Sequence, residues 1–196
     1  MTTSASSGVT TGGATLNGGL TSLGSATSAS VDFEYGLTSS YGSVTSAQTM
    51  TGTGAFSAGL TGLTAGTTYH YRADATGSGT SYGADQTFTT APIITPPSVT
   101  TNAATYIARN SATLNGSLTG LGTSGSVGVS FQLGLTTSYG SSTSILTMST
   151  TGSFAISISG LASGTTFHYR AVAVGTNGLI AYGSDQVFTT TTKGKP

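Results

Sequence analysis

The chain has 196 residues, of which only 5% are charged and 36% apolar, and its formal net charge is +0. That balance gives no field to steer the whole molecule toward nucleic acid or an anionic membrane, and it lacks the high net charge of disordered chains. Cysteine is absent, which excludes a disulfide framework, a thiolate zinc site and a thiol nucleophile together.

With 30 Gly and 4 Pro the composition favours turns over helices. No run of 18 apolar residues and no basic-then-apolar leader occurs, so neither a membrane span nor a signal peptide is expected in this sequence.

A weak edge strand is predicted around Ala5 to Val9, then a strand over Ala14 to Leu20 whose Ala14, Leu16, Gly18 and Leu20 face inward. Val31, Phe33 and Tyr35 alternate with outward Asp32 and Glu34. A turn-rich stretch through Tyr41 and Gly42 precedes a short polar strand ending near Met50. Phe56, Ala58 and Leu60 alternate next, and Leu63 plugs the core from a turn.

GLTAGTTYHYRADA, Gly62 to Ala75, then directs Tyr69, Tyr71, Ala73 and Ala75 to one face and His70, Arg72 and Asp74 to the other. The last strand is Gln86 to Thr90, with Phe88 inward. About seven short strands with no helical period predict an all-β fold, an antiparallel β-sandwich of the immunoglobulin class.

The pattern then repeats. ATLNG at Ala14 returns at Ala112, and the same offset of 98 places Phe33 on Phe131, Tyr41 on Tyr139, Phe56 on Phe154 and Arg72 on Arg170. YGADQ and YGSDQ, at Tyr82 and Tyr182, are offset by 100, which puts two extra residues in the second copy's last hairpin. Residues 1–90 and 99–192 therefore read as tandem sandwiches, 91–98 as a Pro-rich linker and 193–196 as a basic tail. The linker's prolines predict an extended, stiff segment. The second domain has the heavier apolar series, through Ile107, Leu114, Val129, Phe131, Leu133, Phe154, Ile156, Ile158, Leu161, Phe167, Tyr169 and Phe188, and is expected to be the more stable.

ATLNG, FEYG/FQLG, TSYGS, GTTYHYRA/GTTFHYRA and YG.DQ.FTT together resemble the fibronectin type III-like repeats of microbial surface, adhesin and phage-tail proteins. The resemblance covers nearly all of both domains. It implies non-catalytic spacers, filament components or adhesins, often binding glycans or proteins. Two departures stand out. There is no Trp, so Gly18 or Gly116 occupies the layer of the family's core aromatic. The family's turn tyrosine falls on Tyr69 but is Phe167 in the second copy.

His70 and Arg72, repeated as His168 and Arg170, share an outward strand face. A catalytic base also needs a nucleophile and a concave site, so these read as solvated strand residues and no catalytic residue is assigned. Asp32, Glu34 and Asp74 are expected on one face of paired strands. Arg72 among them favours a surface ion-pair network over calcium, and no metal or cofactor is expected. In the second copy Ser130, Gln132 and Val172 replace the acids.

Residues 1–97 carry Arg72 against Asp32, Glu34, Asp74 and Asp85, a formal −3. Residues 98–196 carry Arg109, Arg170, Lys193 and Lys195 against Asp185, a formal +3. This polarity suits a head-to-tail homo-oligomer or polymer, with Asp32, Glu34, Arg72, Asp74, Arg109, Arg170, Lys193 and Lys195 as candidate interface residues. Tyr41, Tyr82, Tyr139 and Tyr182 lie near turns and are candidate glycan contacts.

Asn115-Gly-Ser matches a glycosylation sequon, but its counterpart at Asn17 does not, and the match reads as chance. No phosphate-cradling loop or basic aromatic stripe points to nucleic acid. The expected role is a non-enzymatic extracellular structural or spacer protein, a self-associating subunit of a surface filament, sheath or stalk. The alternative is a carbohydrate- or protein-binding adhesion module, including a phage-tail or enzyme-accessory module. A cell surface or surface appendage is the expected location, with the phage virion as the alternative.

Overall fold

The computed structural model describes residues 1–192. The chain divides into two compact units, Met1–Ile93 and Ile94–Pro196. In the first unit β1 (Thr2–Ser7), β2 (Gly13–Leu20) and β6 (Gly54–Thr61) form one antiparallel sheet in the order β1-β2-β6. The facing sheet is centred on β3 (Ala29–Gly36) and β7 (Thr68–Thr76). β4 (Ser43–Val44) and β5 (Gln48–Met50) both pair with β3, while β8 (Thr80–Tyr82) and β9 (Gln86–Thr89) both pair with β7.

The second unit repeats the scheme. Its smaller sheet runs β10 (Ser98–Thr105), β11 (Ser111–Gly120), β15 (Gly152–Ser159). The larger is built on β12 (Val127–Gly134) and β16 (Thr166–Gly175), flanked by β13 (Ser141–Ser142), β14 (Leu146–Met148), β17 (Ile180–Tyr182) and β18 (Gln186–Thr189). The chain is thus all-β, with two tandem antiparallel β-sandwiches.

Alternation explains which faces meet. Every second residue of β2 and β7 is buried, as the period of two requires. Phe33, Tyr71, Leu16 and Val31 lie fully buried in one core, and Phe131, Tyr169, Leu114 and Val129 in the other. Complete burial of each such side chain contributes roughly 1.5–3 kcal/mol. The layer without tryptophan is filled by phenylalanine against glycine. A Cβ on Gly116 would stand 2.6 Å from the Phe154 ring, and one on Gly18 2.9 Å from Phe56. Phe56 in turn lies 4.8 Å from Phe33, centroid to centroid.

Two predicted elements differ. The first strand is Thr2–Ser7, not Ala5 to Val9, because Gly8 takes a left-handed φ of 57° and ends it. Among the described residues each unit has nine strands where alternation gave about seven, since each outer edge of the larger sheet is broken into two short pieces.

The sheets are also tied by hydroxyls that alternation does not reveal. The buried Tyr71 hydroxyl donates to the Ser4 carbonyl at 2.7 Å, and the Ala73 N–H donates to the Thr3 hydroxyl at 3.0 Å. Tyr169 with Asn102 and Ala171 with Thr101 repeat both bonds. The turn tyrosine behaves as the resemblance implied: Tyr69 Oη accepts the Thr64 N–H at 3.0 Å. Phe167 retains only the stacking, 5.6 Å from Phe188.

The ends of the Pro-rich segment are held within their own units. Ala91 bonds to Thr10 and Gly66, and Thr95 to Thr123. Ile93 and Ile94, on either side of the division, are exposed.

Candidate interaction site

The pairing of β3 with β7 places Asp32 opposite Asp74, Glu34 opposite Arg72 and Gly36 opposite His70. All point away from the core, because their neighbours Phe33, Tyr71 and Ala73 point into it. β8 brings Tyr82 opposite Asp74 on the same outer face. Tyr41 arrives from a loop: its N–H donates to the Thr38 carbonyl, and its own φ is 56°. Gly36 permits that approach, since a Cβ there would collide with the Tyr41 carbonyl.

These elements build one connected cluster. The Arg72 guanidinium carbon lies 3.8 Å from the Tyr82 ring centroid and 4.9 Å from that of Tyr41, within cation–π range of both. Arg72 Nε donates to Glu34 at 2.6 Å. Asp85, just past β8, accepts from the Tyr41 hydroxyl at 2.9 Å and holds His70 Nδ1 at 2.9 Å with its other oxygen. Burial and then the bond to Asp85 push the Tyr41 hydroxyl above its ordinary pKa and keep it a donor.

The second unit repeats the cluster with one change. Arg170 lies 3.9 Å from Tyr182 and 4.7 Å from Tyr139, and Asp185 joins Tyr139 at 3.0 Å to His168 at 2.8 Å. Arg170, which lost the acids of the first copy, donates instead to Gln132 Oε1 at 2.9 Å.

The histidines are therefore not free strand residues: each is oriented by an aspartate. An oriented imidazole is half of a base arrangement, but no hydroxyl among the described residues hydrogen-bonds the other ring nitrogen, so no nucleophile completes it.

Asp32 and Asp74 sit directly opposite each other, and neither forms an ion pair with a cation among the described residues. Burial, followed by the other's charge for Asp32 and by Glu34 for Asp74, raises both carboxyls above the ordinary range. One Asp32 oxygen is buried without a partner among the described residues. No group of three potential metal ligands occurs among those residues.

Of the four acids behind the formal −3 of the first half, Glu34 pairs with Arg72 and Asp85 bonds His70, which leaves Asp32 and Asp74 without an ion-pair partner among the described residues. Arg109 is exposed in the turn between β10 and β11, and Lys193 and Lys195 lie outside the described residues. The Asn115 side chain donates to Ala103 and Thr105, as Asn17 does to Ala5 and Ser7, which gives this sequon residue a shared structural task.

Tyr41 and Tyr139 are half-buried, whereas Tyr82 and Tyr182 are each 49% exposed. Beside Tyr41 runs a shallow groove lined by Glu34, Ser40, Gly42, Ser43 and Val44. Sequence reasoning missed Asp85 and Asp185 as the residues that join tyrosine to histidine. The signal was their recurrence in YG.DQ.

Comparison with known proteins adds solved structures alone. No family model and no curated protein matches the chain. The short sensor domain of the anti-sigma factor RsgI4 of Pseudobacteroides cellulosolvens is similar at 19% identity and a TM-score of 0.40, over 50% of this chain and 98% of that one. The chicken CNTN1 FN1-FN3 domains are similar at 11% identity and a TM-score of 0.39, over 98% of this chain and 67% of theirs. A two-domain fibronectin type III segment of chicken tenascin is similar at 16% identity and a TM-score of 0.35, over 95% and 97%. No helix among the described residues is long and apolar enough to cross a membrane.

Proposed function

We propose that the chain is an extracellular binding module of the adhesion type, presenting one tyrosine–arginine platform per unit to a glycan or a protein. The observation that carries this is the duplication of the cluster, with Tyr82 and Tyr182 stacked on arginine and still 49% exposed. A tyrosine held in place on one side offers a rigid apolar face at little entropic cost. Around it Asp85, His70 and Glu34, or Asp185, His168 and Gln132, supply hydrogen-bonding edges for hydroxyls.

A glycan array probed with the whole chain tests this. Binding to a glycan class, reduced at least tenfold when Tyr82 and Tyr182 are both changed to Ala, supports the reading. Binding that survives both changes, or none to any glycan or surface protein, rejects it.

A second reading, a self-associating spacer of a surface filament or stalk, is favoured by the 5% charge content, which leaves little like-charge repulsion against ordered packing. Head-to-tail polymers in electron micrographs of concentrated protein would support it. Retention of the monomer at high concentration and low salt would reject it.

A further inference from the structure

Sheet edges are where sandwiches of this kind risk joining neighbours, and most edges here are blunted. In the second unit β10 shifts register twice, and the larger sheet ends in pieces of two to four residues. β15 differs. It pairs with β11 over eight consecutive residues without a bulge, carries no charge and no proline, and leaves its other side unpaired among the described residues.

Its counterpart β6 is partly capped: Gln48 Nε2 reaches across from β5 and donates to the Ser57 carbonyl at 2.7 Å. The residue at the position of Gln48 in the second unit is Leu146, 40% exposed, which has no donor to offer Ala155.

From these observations we infer that β15 is a self-pairing strand whose occupant is β15 of a second copy of this chain. The Gln48 bond marks Ser57 as one whose carbonyl faces away from the sheet, which makes 153, 155, 157 and 159 the outward-bonding positions of β15. Gly152–Gly160 reads G-S-F-A-I-S-I-S-G, a chemical palindrome about Ile156.

Antiparallel pairing about a two-fold axis there sets Ser153 against Ser159 and Ala155 against Ser157, every one an outward-bonding position. Phe154 meets Ile158 and Ile156 meets itself on the core side. Gly152 and Gly160 close the ends. No charge is repeated across the axis, and the symmetry gives a closed dimer in which two three-stranded sheets become one of six. An eight-residue strand is about 27 Å long, so the contact belongs to the small, reversible class of interfaces. The inference is independent of the glycan reading.

Sedimentation equilibrium of the full chain is the test, with Ser157→Pro, Leu146→Gln and, as the unit-one control at the position matching Ser157, Gly59→Pro. Proline at 157 removes an outward N–H while sparing the bonds to β11. A reversible dimer is expected, weakened at least tenfold by S157P, several-fold by L146Q, and unchanged by G59P. Because the chain has no cysteine, two single-cysteine variants fix the register even where S157P fails to fold. Ile156→Cys should oxidise to a disulfide-linked dimer and Ile158→Cys should not. A chain that stays monomeric at millimolar concentration, whatever foreign strand its edge accepts, overturns the inference. So does a folded S157P that dimerises like the parent, or a pair of cysteine variants that cross-link equally.

Discussion

Arg72 and Tyr82 stand face to face, 3.8 Å from guanidinium carbon to ring centroid, and Arg170 and Tyr182 restate the pair at 3.9 Å one unit later. The stacks match, but the third partner is Glu34 in one and Gln132 in the other. Replacing each arginine by Met should therefore give unequal losses. Arg170→Met should cost about 0.5–1 kcal/mol, the scale of an exposed cation–π contact. Arg72→Met should cost more, because it also leaves Glu34 beside Asp32 and Asp74 without a cation. Urea denaturation of the two variants checks the order.

The pair of carboxylates opposite one another gives the first unit a pH dependence that the second lacks. Both carboxyls titrate above their unfolded values, so the folded state holds protons more tightly than the unfolded one. The stabilisation is complete below the unfolded value of 3.8 and is lost as pH rises through the raised values. Asp32→Ser, which installs the residue found at 130, should stabilise the first unit by roughly 0.5 kcal/mol at neutral pH, the scale of a cross-strand pair. At pH 3 it should bring no gain. Calorimetry at the two pH values reads the difference.

Glycine 116 is matched to an aromatic ring rather than to a turn. Gly116→Ala should destabilise the second unit by about 1–3 kcal/mol, since the new methyl overlaps Phe154 and the close-packed layer must open. Gly42→Ala, where a Cβ meets nothing within 4 Å but φ is 124°, should also destabilise, by backbone strain instead. A double variant should show additive losses if the two act in separate units, measured by thermal melting.

Tyr69→Phe tests the turn hydroxyl. It should cost the first unit about 1 kcal/mol, because the Thr64 N–H loses its acceptor while the ring keeps its stack on Phe88. The second unit, already Phe at 167 and richer in buried aliphatic side chains, should melt at the higher temperature in the unmodified protein.

The faces of the central strands were readable from alternation, since in β2, β3 and β7 apolar residues fall at every second position. β1 starts three residues and ends two residues earlier than expected because TTSASS has no such rhythm and is held by Thr3 and Ser4 contacts that appear only once the sheets face each other. The outward grouping of Glu34 with Arg72 was legible from pairing alone. Asp85 was not, because it lies in a loop, where period-two reasoning assigns no side. Tyr41 adopts a left-handed backbone that its side chain gives no reason to expect.

The Tyr71–Ser4 and Ala73–Thr3 bonds run from the first strand to the centre of the opposite sheet. Tension applied through the first residues meets these bonds as well as the β1–β2 ladder, so β1 cannot be peeled away without uncovering a phenol from the middle of the domain. In a molecule anchored at one end and pulled at the other, that arrangement puts the clasp at the point of loading, and the second unit carries the same clasp at Thr101 and Asn102.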